Sequence, residues 1–350
     1  MSGQFRLCCR IGLRGPPGLR YASVMLSRCV LPLVFLVACG GGGQTPSWQT
    51  LSSGEPGALL AVWGTSAQDV WVVGGRGEIM GSPAILHFDG KTWSRVDSGQ
   101  RGLDLWWVFG FAGGDVFFTG AGGTILRYRN ASFERMQTPR SGTIFGLWGP
   151  APDDLWAVGK GDDGKGIVWR YNGSQWSDVT PPDAPNLVLK VHGQRTDDVW
   201  ISCANGLTLH WDGVALASVA TGVTSSLFSI VTTPEVAIAV GGYLGQGTIV
   251  EHTADGAGWT MQPSLVPVPW RGVAAGAGQV FAVGESGVVG QRTSAGWTLV
   301  DRLVPPLTFH AAWVDPMGGL WGVGGMFDTL PLTSEGFLAH YAVETLPEVR

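Results

Sequence analysis

The fold of this chain is decided by the stretch from Leu59 to Gly99, which contains the segments LLAVWG (59–64), DVWVVGG (69–75) and ILHFDGKTWS (85–94). Each segment is a short run of β-branched and aromatic residues, and each run ends at Gly or at Asp-Gly. Such runs, separated by turn residues, are typical of short β-strands joined by tight turns. The pattern recurs after residue 47, so the stretch is one copy of a repeat.

The second segment marks seven copies, spaced about forty residues apart. The copies are Val70-Trp71, Val116-Phe117, Leu155-Trp156, Val199-Trp200, Val236-Ala237, Val280-Phe281 and Leu320-Trp321. A period of this length with four short strands per copy predicts an all-β, seven-bladed β-propeller with four-stranded antiparallel blades.

The seventh copy ends before a recognisable fourth strand. The N-terminal segment SWQTLSSG (47–54) resembles TWSRVDSG (92–99), the fourth-strand segment of the first copy. We therefore expect the N-terminal strand to complete the last blade. This closure would leave neither end of the ring with an unpaired edge strand.

Residues 1–38 are predicted to be a leader or signal segment, with Met25 as the true start. An apolar run over residues 29–37 is too short to span a bilayer, and it precedes Ala38 and Cys39. The segment LVAC (36–39) resembles the lipobox of bacterial lipoproteins, which implies that Cys39 is lipidated. The alternative is a plain secretory signal.

Three further segments follow the leader. Residues 39–46 are predicted to be the lipidated Cys and a Gly-rich tether, 47–345 a single propeller domain, and 346–350 a tail.

Removing the five leader arginines leaves 17 of 22 basic residues against 27 acidic ones, a formal charge of −10. This acidic balance argues against nucleic acid as a partner. Beyond Cys39 only Cys203 remains, so no internal disulfide is expected.

The repeat resembles known propeller repeats. A DVWVVGG strand, a strand ending in an aromatic, and an Asp-Gly followed by Trp are similar to kelch, sialidase-type (BNR) and photosystem-assembly-factor-like repeats. The likeness covers residues 47–345. The sialidase-type Asp box is half met by DGKTW (89–93). The resemblance implies the architecture, because these propellers serve different functions.

Two polar positions repeat with the blades. The residue before the aromatic that ends the third strand is histidine in three copies: His87, His210 and His340. We expect this histidine to hydrogen-bond between neighbouring blades. Aspartate precedes the second strand in four copies and is expected to cap a turn: Asp69, Asp115, Asp154 and Asp198. No metal-ligand spacing or nucleophile motif appears, so neither a metal nor a cofactor is predicted.

Most of the 17 Trp occupy repeat positions. Four do not: Trp106, Trp107, Trp169 and Trp270. Among these, Trp106, Trp107 and Trp270 are the candidates for exposed platforms on which a ligand could stack.

The loops between the second and third strands should open on one face of a propeller, and long loops on a rigid scaffold are where binding sites tend to lie. Such loops are predicted in blades one, three, five and seven. Their candidate ligand-binding residues are Arg76, Glu78, Lys160, Asp162, Asp163, Tyr243, Met326, Phe327 and Asp328.

These observations predict a non-enzymatic, monomeric lipoprotein of the cell envelope. Its propeller would bind a protein or glycan partner, with the lipid anchor holding it on the periplasmic face or in the outer membrane. The alternatives are a secreted location and a carbohydrate-active enzyme of the glycosidase or lyase type with its site in the central funnel.

Overall fold

The computed structural model describes residues 45–78, 80–253, 258–300, 302–326 and 335–349. The chain divides into Met1–Gly43 and Gln44–Arg350, and every described residue belongs to the second unit. The predicted start Met25 and the predicted lipidation site Cys39 therefore lie outside the described residues. Within the described ranges, no helix is long and apolar enough to cross a membrane.

Seven four-stranded antiparallel sheets form the described unit, which confirms the predicted fold class. The strands are numbered along the chain from β1 (Ser47–Glu55). Blade one is β2 (Leu59–Ser66), β3 (Asp69–Gly74), β4 (Ile85–Phe88) and β5 (Trp93–Arg95). Blade two is β6 (Leu105–Gly110), β7 (Val116–Gly120), β8 (Ile125–Arg129) and β9 (Ser132–Arg135). Blade three is β10 (Gly142–Ala151), β11 (Asp154–Gly161), β12 (Gly166–Tyr171) and β13 (Trp176–Asp178).

The remaining four blades follow the same order along the chain. Blade four is β14 (Val188–Arg195), β15 (Asp198–Cys203), β16 (Leu207–Trp211) and β17 (Leu216–Ala220). Blade five is β18 (Leu227–Thr232), β19 (Val236–Tyr243), β20 (Gln246–Thr253) and β21 (Trp259–Met261). Blade six is β22 (Trp270–Gly276), β23 (Gln279–Gly284), β24 (Val289–Thr293) and β25 (Gly296–Leu299). Blade seven is β26 (Phe309–Val314), β27 (Leu320–Gly324), β28 (Gly336–Ala342) and β1.

The N-terminal strand closes the ring, as the sequence predicts. β1 pairs antiparallel with β28, so that it supplies the outer strand of blade seven. The segment predicted as a tail continues this closure as far as Val349. The amide of Val349 donates to the carbonyl of Leu51 at 2.8 Å, and Leu346 and Gln49 exchange two hydrogen bonds. Leu346 and Val349 thus lie against β1.

The predicted hairpin turns between the third and fourth strands are confirmed at Asp89-Gly90, Asn172-Gly173 and Asp212-Gly213. The three glycines have φ between 87° and 92°, which L side chains adopt only with strain. The side chain before each glycine accepts two backbone N–H groups, as Asp89 does from Lys91 and Thr92. The predicted turn at residues 255–256 lies outside the described residues.

The first strands of the blades form the inner ring, and an aromatic residue packs onto a glycine between neighbours. A Cβ on Gly110 would lie 2.9 Å from Cη2 of Trp63 in blade one. The same contact joins Gly193 to Trp148 at 2.6 Å, and Gly64 to Trp313 of blade seven at 2.8 Å. In blade one, Trp63 and Gly64 therefore serve two different junctions. In each junction the Trp packs onto the glycine of the next blade, and this contact requires that the glycine has no side chain.

Blades four to six use other residues for this contact. His192 takes the aromatic position in blade four, and Thr232 replaces the glycine in blade five. The Thr232 amide donates to Nδ1 of His192 at 3.1 Å, so a hydrogen bond replaces the ring contact. In blades five and six the aromatic position holds Val231 and Ala274, which are smaller.

The repeated aspartates and histidines bond within one blade, so the prediction of hydrogen bonds between blades was wrong. Nε2 of His87 lies 2.8 Å from Asp69 and Nε2 of His210 lies 2.9 Å from Asp198. Each imidazole stacks on the second-strand Trp of its own blade, with ring centroids 3.9 Å apart for Trp71 and 4.0 Å for Trp200. The reason is that antiparallel pairing places the third-strand histidine directly opposite the second-strand Trp.

The other two repeated aspartates pair with arginine instead. Asp154 accepts from Nε of Arg170 at 3.1 Å, and Asp115 forms a bidentate ion pair with Arg129. All four repeated aspartates thus bond the start of the second strand to a side chain of the third strand. Turn capping of the predicted kind is made by Asp315 of blade seven, which accepts the amides of Met317 and Gly319.

Gly110→Ala is expected to destabilise the protein by about 1–3 kcal/mol, because the new methyl group would overlap Trp63 and the Asp115 carbonyl. Gly114→Ala, in the same turn region, is the matched control, since its nearest neighbour would be 3.5 Å away. Equilibrium urea unfolding followed by Trp fluorescence measures both changes. Equal unfolding midpoints for the two variants would contradict the proposed contact between blades.

Candidate binding face and axial channel

The segments that join second to third strands all open on one side of the ring, which we call the loop-bearing face. Every blade has the same strand order, and each first strand contacts the first strands of both neighbouring blades. Equivalent residues of neighbouring first strands also meet at the same level, as the contacts between Trp and Gly show. The second strands therefore end on the same side, and so do the connections between successive blades.

In blade one, the loop over residues 75–84 is held against the next blade connection. The amide of Arg76 donates to Asp104 at 3.0 Å, and its guanidinium donates to the carbonyl of Gly102 at 3.0 Å. Arg76 is half-buried as a result, whereas Glu78 is exposed. Of these two candidates, Glu78 is the one that faces solvent.

In blade three, the predicted residues belong to an extended hairpin. Lys160 lies in β11 and is exposed, and only four residues separate β11 from β12. Asp163 accepts from Arg140 at 2.9 Å, and Asp162 accepts from the hydroxyl of Ser141. These two aspartates therefore order the connection between blades two and three.

Blade five corrects the expectation of a long loop. β19 and β20 each extend to eight residues and are joined by Leu244 and Gly245 alone. The hairpin ends in the exposed Tyr243, whose hydroxyl donates to Gln246 at 2.6 Å. In blade seven Met326 is exposed. Phe327 and Asp328 lie outside the described residues.

Large exposed apolar side chains follow one arc of the loop-bearing face, from blade five through six and seven to blade one. We call this the apolar arc. Its members are Tyr243, Leu244, Val304, Met326 and Met80. The exposed fractions are 88% for Leu244, 77% for Val304 and 74% for Met80. Blade three lies on the opposite side of the ring, and its hairpin carries the charged residues Lys160, Asp162 and Asp163.

Two of the four non-repeat Trp are buried, which contradicts an exposed stacking role for them. Trp270 and Trp169 are both fully buried. Trp270 begins β22 and packs between blades five and six: a Cβ on Gly247 of blade five would lie 2.8 Å from its Nε1, and a Cβ on Gly290 of blade six would lie 3.0 Å from its ring. The inner strands of these blades carry the small Val231 and Ala274, and the bulky Trp270 packs at the other end of β22. Trp106 and Trp107 are half-buried, and Trp107 lines a cavity on the axis of the ring.

A β-bulge recurs near the start of every inner strand, at the loop-bearing end of the channel. In each blade the pairing of first and second strands shifts by one residue at this point. The bulged residues are Leu60, Trp106, Phe145, Leu189, Phe228, Arg271 and His310. A bulge re-aims side chains and disrupts the ladder locally. These seven positions lie at the loop-bearing end of the inner strands, and we call them the channel mouth.

Aromatic and cationic groups meet around this mouth. The rings of Trp106 and Phe145 pack edge to face with centroids 5.0 Å apart. The Arg271 guanidinium lies 4.5 Å from the centroid of the Phe228 ring and forms an ion pair with Glu285. Nε2 of His310 donates to the carbonyl of Gly325 at 2.9 Å.

Below the mouth, an axial cavity of about 160 Å³ is lined by inner-strand residues of all seven blades. Burial lowers the pKa of His192, which lines it, to about 4. Burial is also the main cause that lowers the pKa of His310, at the mouth, to about 4. Within the described ranges, no group of three or more His, Cys, Asp and Glu is arranged to hold a metal ion.

Sequence reasoning missed Lys190, which lines this cavity. The residue after the bulge is small in five blades: Ala61, Gly146, Ser229, Gly272 and Ala311. Blades two and four have the large residues Trp107 and Lys190 at this position. Their side chains contact each other over Gly146 of the intervening blade three. The ammonium lies 3.9 Å from the centroid of the Trp107 ring and donates to the carbonyl of Phe145. The sequence could have indicated this contact, because Trp107 and Lys190 are large residues at a repeat position that is small in the other five blades.

Comparison with known proteins gives the fold and no closer relative. No protein-family model matches the chain, and no curated protein matches it. Solved structures do. The WD40 β-propeller domain of Doa1 has a TM-score of 0.64 at 11% identity, covering 86% of this chain and 98% of that one. YCF48 bound to D1 peptide has a TM-score of 0.62 at 13% identity, covering 85% and 95%. YCF48 from Cyanidioschyzon merolae has a TM-score of 0.61 at 13% identity, covering 86% and 100%.

The two half-buried histidines with lowered pKa values give a testable pH dependence. His192 and His310 are neutral in the folded state at pH 5, whereas unfolded histidine, with a pKa of about 6.5, is then protonated. The free energy of unfolding should therefore fall as the pH is lowered from about 6.5 towards 4. His192→Asn, which keeps an acceptor for the Thr232 amide, should show a shallower decline. Urea unfolding midpoints across this range test it, and parallel curves for both proteins would refute the assignment.

Proposed function

We propose that this chain is a non-enzymatic lipoprotein of the cell envelope whose propeller binds a protein partner through its loop-bearing face. The anchor would lie at Cys39 and the tether would hold the ring close to the membrane, on the periplasmic face or in the outer membrane. The apolar arc is the observation that carries the binding role.

The apolar arc supports a protein partner because exposed apolar groups gathered on one surface mark interaction sites. Single exposed apolar residues are ordinary, but here five of them lie on neighbouring blades of the face that also carries the projecting hairpins. The charged blade-three hairpin adds a polar segment on the opposite arc. An apolar core with a polar rim is the usual anatomy of a protein interface.

The similar solved structures are consistent with this proposal at the level of the fold. A propeller is a rigid scaffold, and the structure of YCF48 was solved with D1 peptide bound. The resemblance between the two chains is low in identity, so the proposal rests on this chain's own surface.

A binding role also agrees with how this chain uses its titratable side chains. The repeated aspartates bond to histidine or arginine of the same blade, and the histidines stack on buried Trp. The hydrogen bond from His87 is the main reason that the pKa of Asp69 is lowered. The Asp69 carboxylate therefore stabilises its blade in the ionised form.

The lipid anchor can be tested by Cys39→Ser, which removes the only thiol that the lipobox-like segment places at the cleavage site. We expect the full chain to sediment with membranes and the variant to move to the soluble fraction. Fractionation of the native cells, with immunodetection of the propeller, measures the change. Unchanged membrane retention of the variant would refute the anchor.

The binding face can be tested with charge substitutions on opposite sides of the ring. Met80→Glu combined with Leu244→Glu should reduce capture of an envelope partner by tenfold or more, because a charge would be buried at the interface. Val214→Glu combined with Met317→Glu is the matched control, since these exposed residues lie on the other face. Quantitative cross-linking to envelope extracts compares the pairs. Equal losses, or a loss confined to the control pair, would overturn the assignment.

A further inference from the structure

The axial cavity has the character of a small-ligand site with one charged group. Its walls come from the inner strands and are mostly aromatic or aliphatic, with Lys190, His192 and Ser229 as the polar members. Its volume is about 160 Å³. A protein cavity of about 150 Å³ is large enough to bind benzene. Mostly apolar walls with a few placed polar groups are typical of small-molecule sites.

Lys190 reaches this cavity because of two residues on the preceding blades. Gly146 of blade three has no side chain, and a Cβ there would lie 3.2 Å from Cα of Lys190. The ammonium therefore passes over blade three to the face of Trp107 in blade two, 3.9 Å from the ring centroid. It also donates to the carbonyl of Phe145. A cation held over an indole face is a built contact rather than a side chain in free solvent.

The charge of Lys190 is not balanced by any carboxylate in the cavity. All of the lining residues lie in the described ranges, and none is Asp or Glu. Lys190 forms no ion pair within the described part of the chain, and the neighbouring Arg271 is paired with Glu285. An ammonium has three donors, and one of them has an acceptor here. Desolvation lowers the pKa of Lys190 to about 7, the expected response of an amine that is partly removed from water and lacks a carboxylate partner.

We propose that the axial cavity binds a small carboxylate, with its apolar body against the aromatic walls and its carboxylate paired with Lys190. The anion would balance the charge of the half-buried Lys190 and accept its remaining hydrogen bonds. The carboxylate can belong to a free small molecule or to the end of a peptide chain. This inference goes beyond the proposed partner face, because it concerns the axis and needs neither the lipid anchor nor the apolar arc.

Benzoate is the probe, since its ring matches the cavity volume. Isothermal titration calorimetry on the purified full chain should show benzoate binding at least tenfold more tightly than benzyl alcohol, which has no charge. Lys190→Met, which retains the length of the side chain, should lose tenfold or more in benzoate affinity. Lys160→Met is the matched control on the loop-bearing face and should bind benzoate normally. Near-UV circular dichroism verifies that both variants are folded.

The pH dependence separates a specific ion pair from apolar binding. Benzoate stays ionised between pH 6 and 8.5, and the Arg271 guanidinium is already engaged in its ion pair with Glu285. His192 and His310, with pKa values of about 4, stay neutral there, which leaves Lys190 as the titrating group. Benzoate affinity should therefore rise by roughly tenfold or more as the pH falls from 8.5 to 6. The rise should be absent in Lys190→Met.

Two peptides identify the source of the carboxylate. One ends in a free phenylalanine carboxylate and the other is its C-terminal amide. Tighter binding of the free acid than of benzoate, with no binding of the amide, would assign the site to a chain terminus. Binding of benzoate without the peptide acid would assign it to a free small molecule. Benzoate binding that is equal in Lys190→Met, or no benzoate binding by the folded wild-type chain, would overturn the proposal.

Discussion

The contact on which the rest of this structure depends is the packing of an inner-strand aromatic onto a glycine of the next blade. A ring of seven blades closes only if every neighbouring pair approaches to a similar distance. Trp63 on Gly110 and Trp313 on Gly64 show that the first and last junctions are built in the same way. A methyl group on either glycine would overlap the indole. Each such junction therefore requires both a large aromatic residue on one blade and a glycine on the next.

Where this contact is absent, the ring is closed by other means. The junction of blades four and five replaces ring packing with a hydrogen bond between His192 and Thr232. Blades five and six have small residues on the inner strand, and Trp270 fills the space at the other end of the strand instead. A buried carboxylate, Glu251, also links these blades through Arg292 and the indole of Trp297. The repeats that look degenerate in sequence are therefore the ones whose junctions use different chemistry.

The same ring creates the two surfaces to which we assign function. Hairpins and blade connections emerge on one side because all second strands end there, and a β-bulge lies at the same end of every inner strand. Closure also brings Lys190 and Trp107, 83 positions apart in the numbering, to within 3.9 Å. A rigid ring can hold an ammonium over an indole face in an otherwise apolar channel because neighbouring blades leave the side chains little freedom.

The seven blades, their antiparallel order, the Asp-Gly turns and the closure by β1 could all be predicted from the sequence, because each depends on a short-range pattern that repeats. The sequence also placed Arg76, Lys160 and Tyr243 on one face. The contacts of each repeated side chain could be identified only from the tertiary structure. The histidines bond within a blade and not between blades, and Trp270 is buried rather than exposed. These outcomes, like the meeting of Lys190 with Trp107, depend on the distance between blades, which arises only when the ring closes.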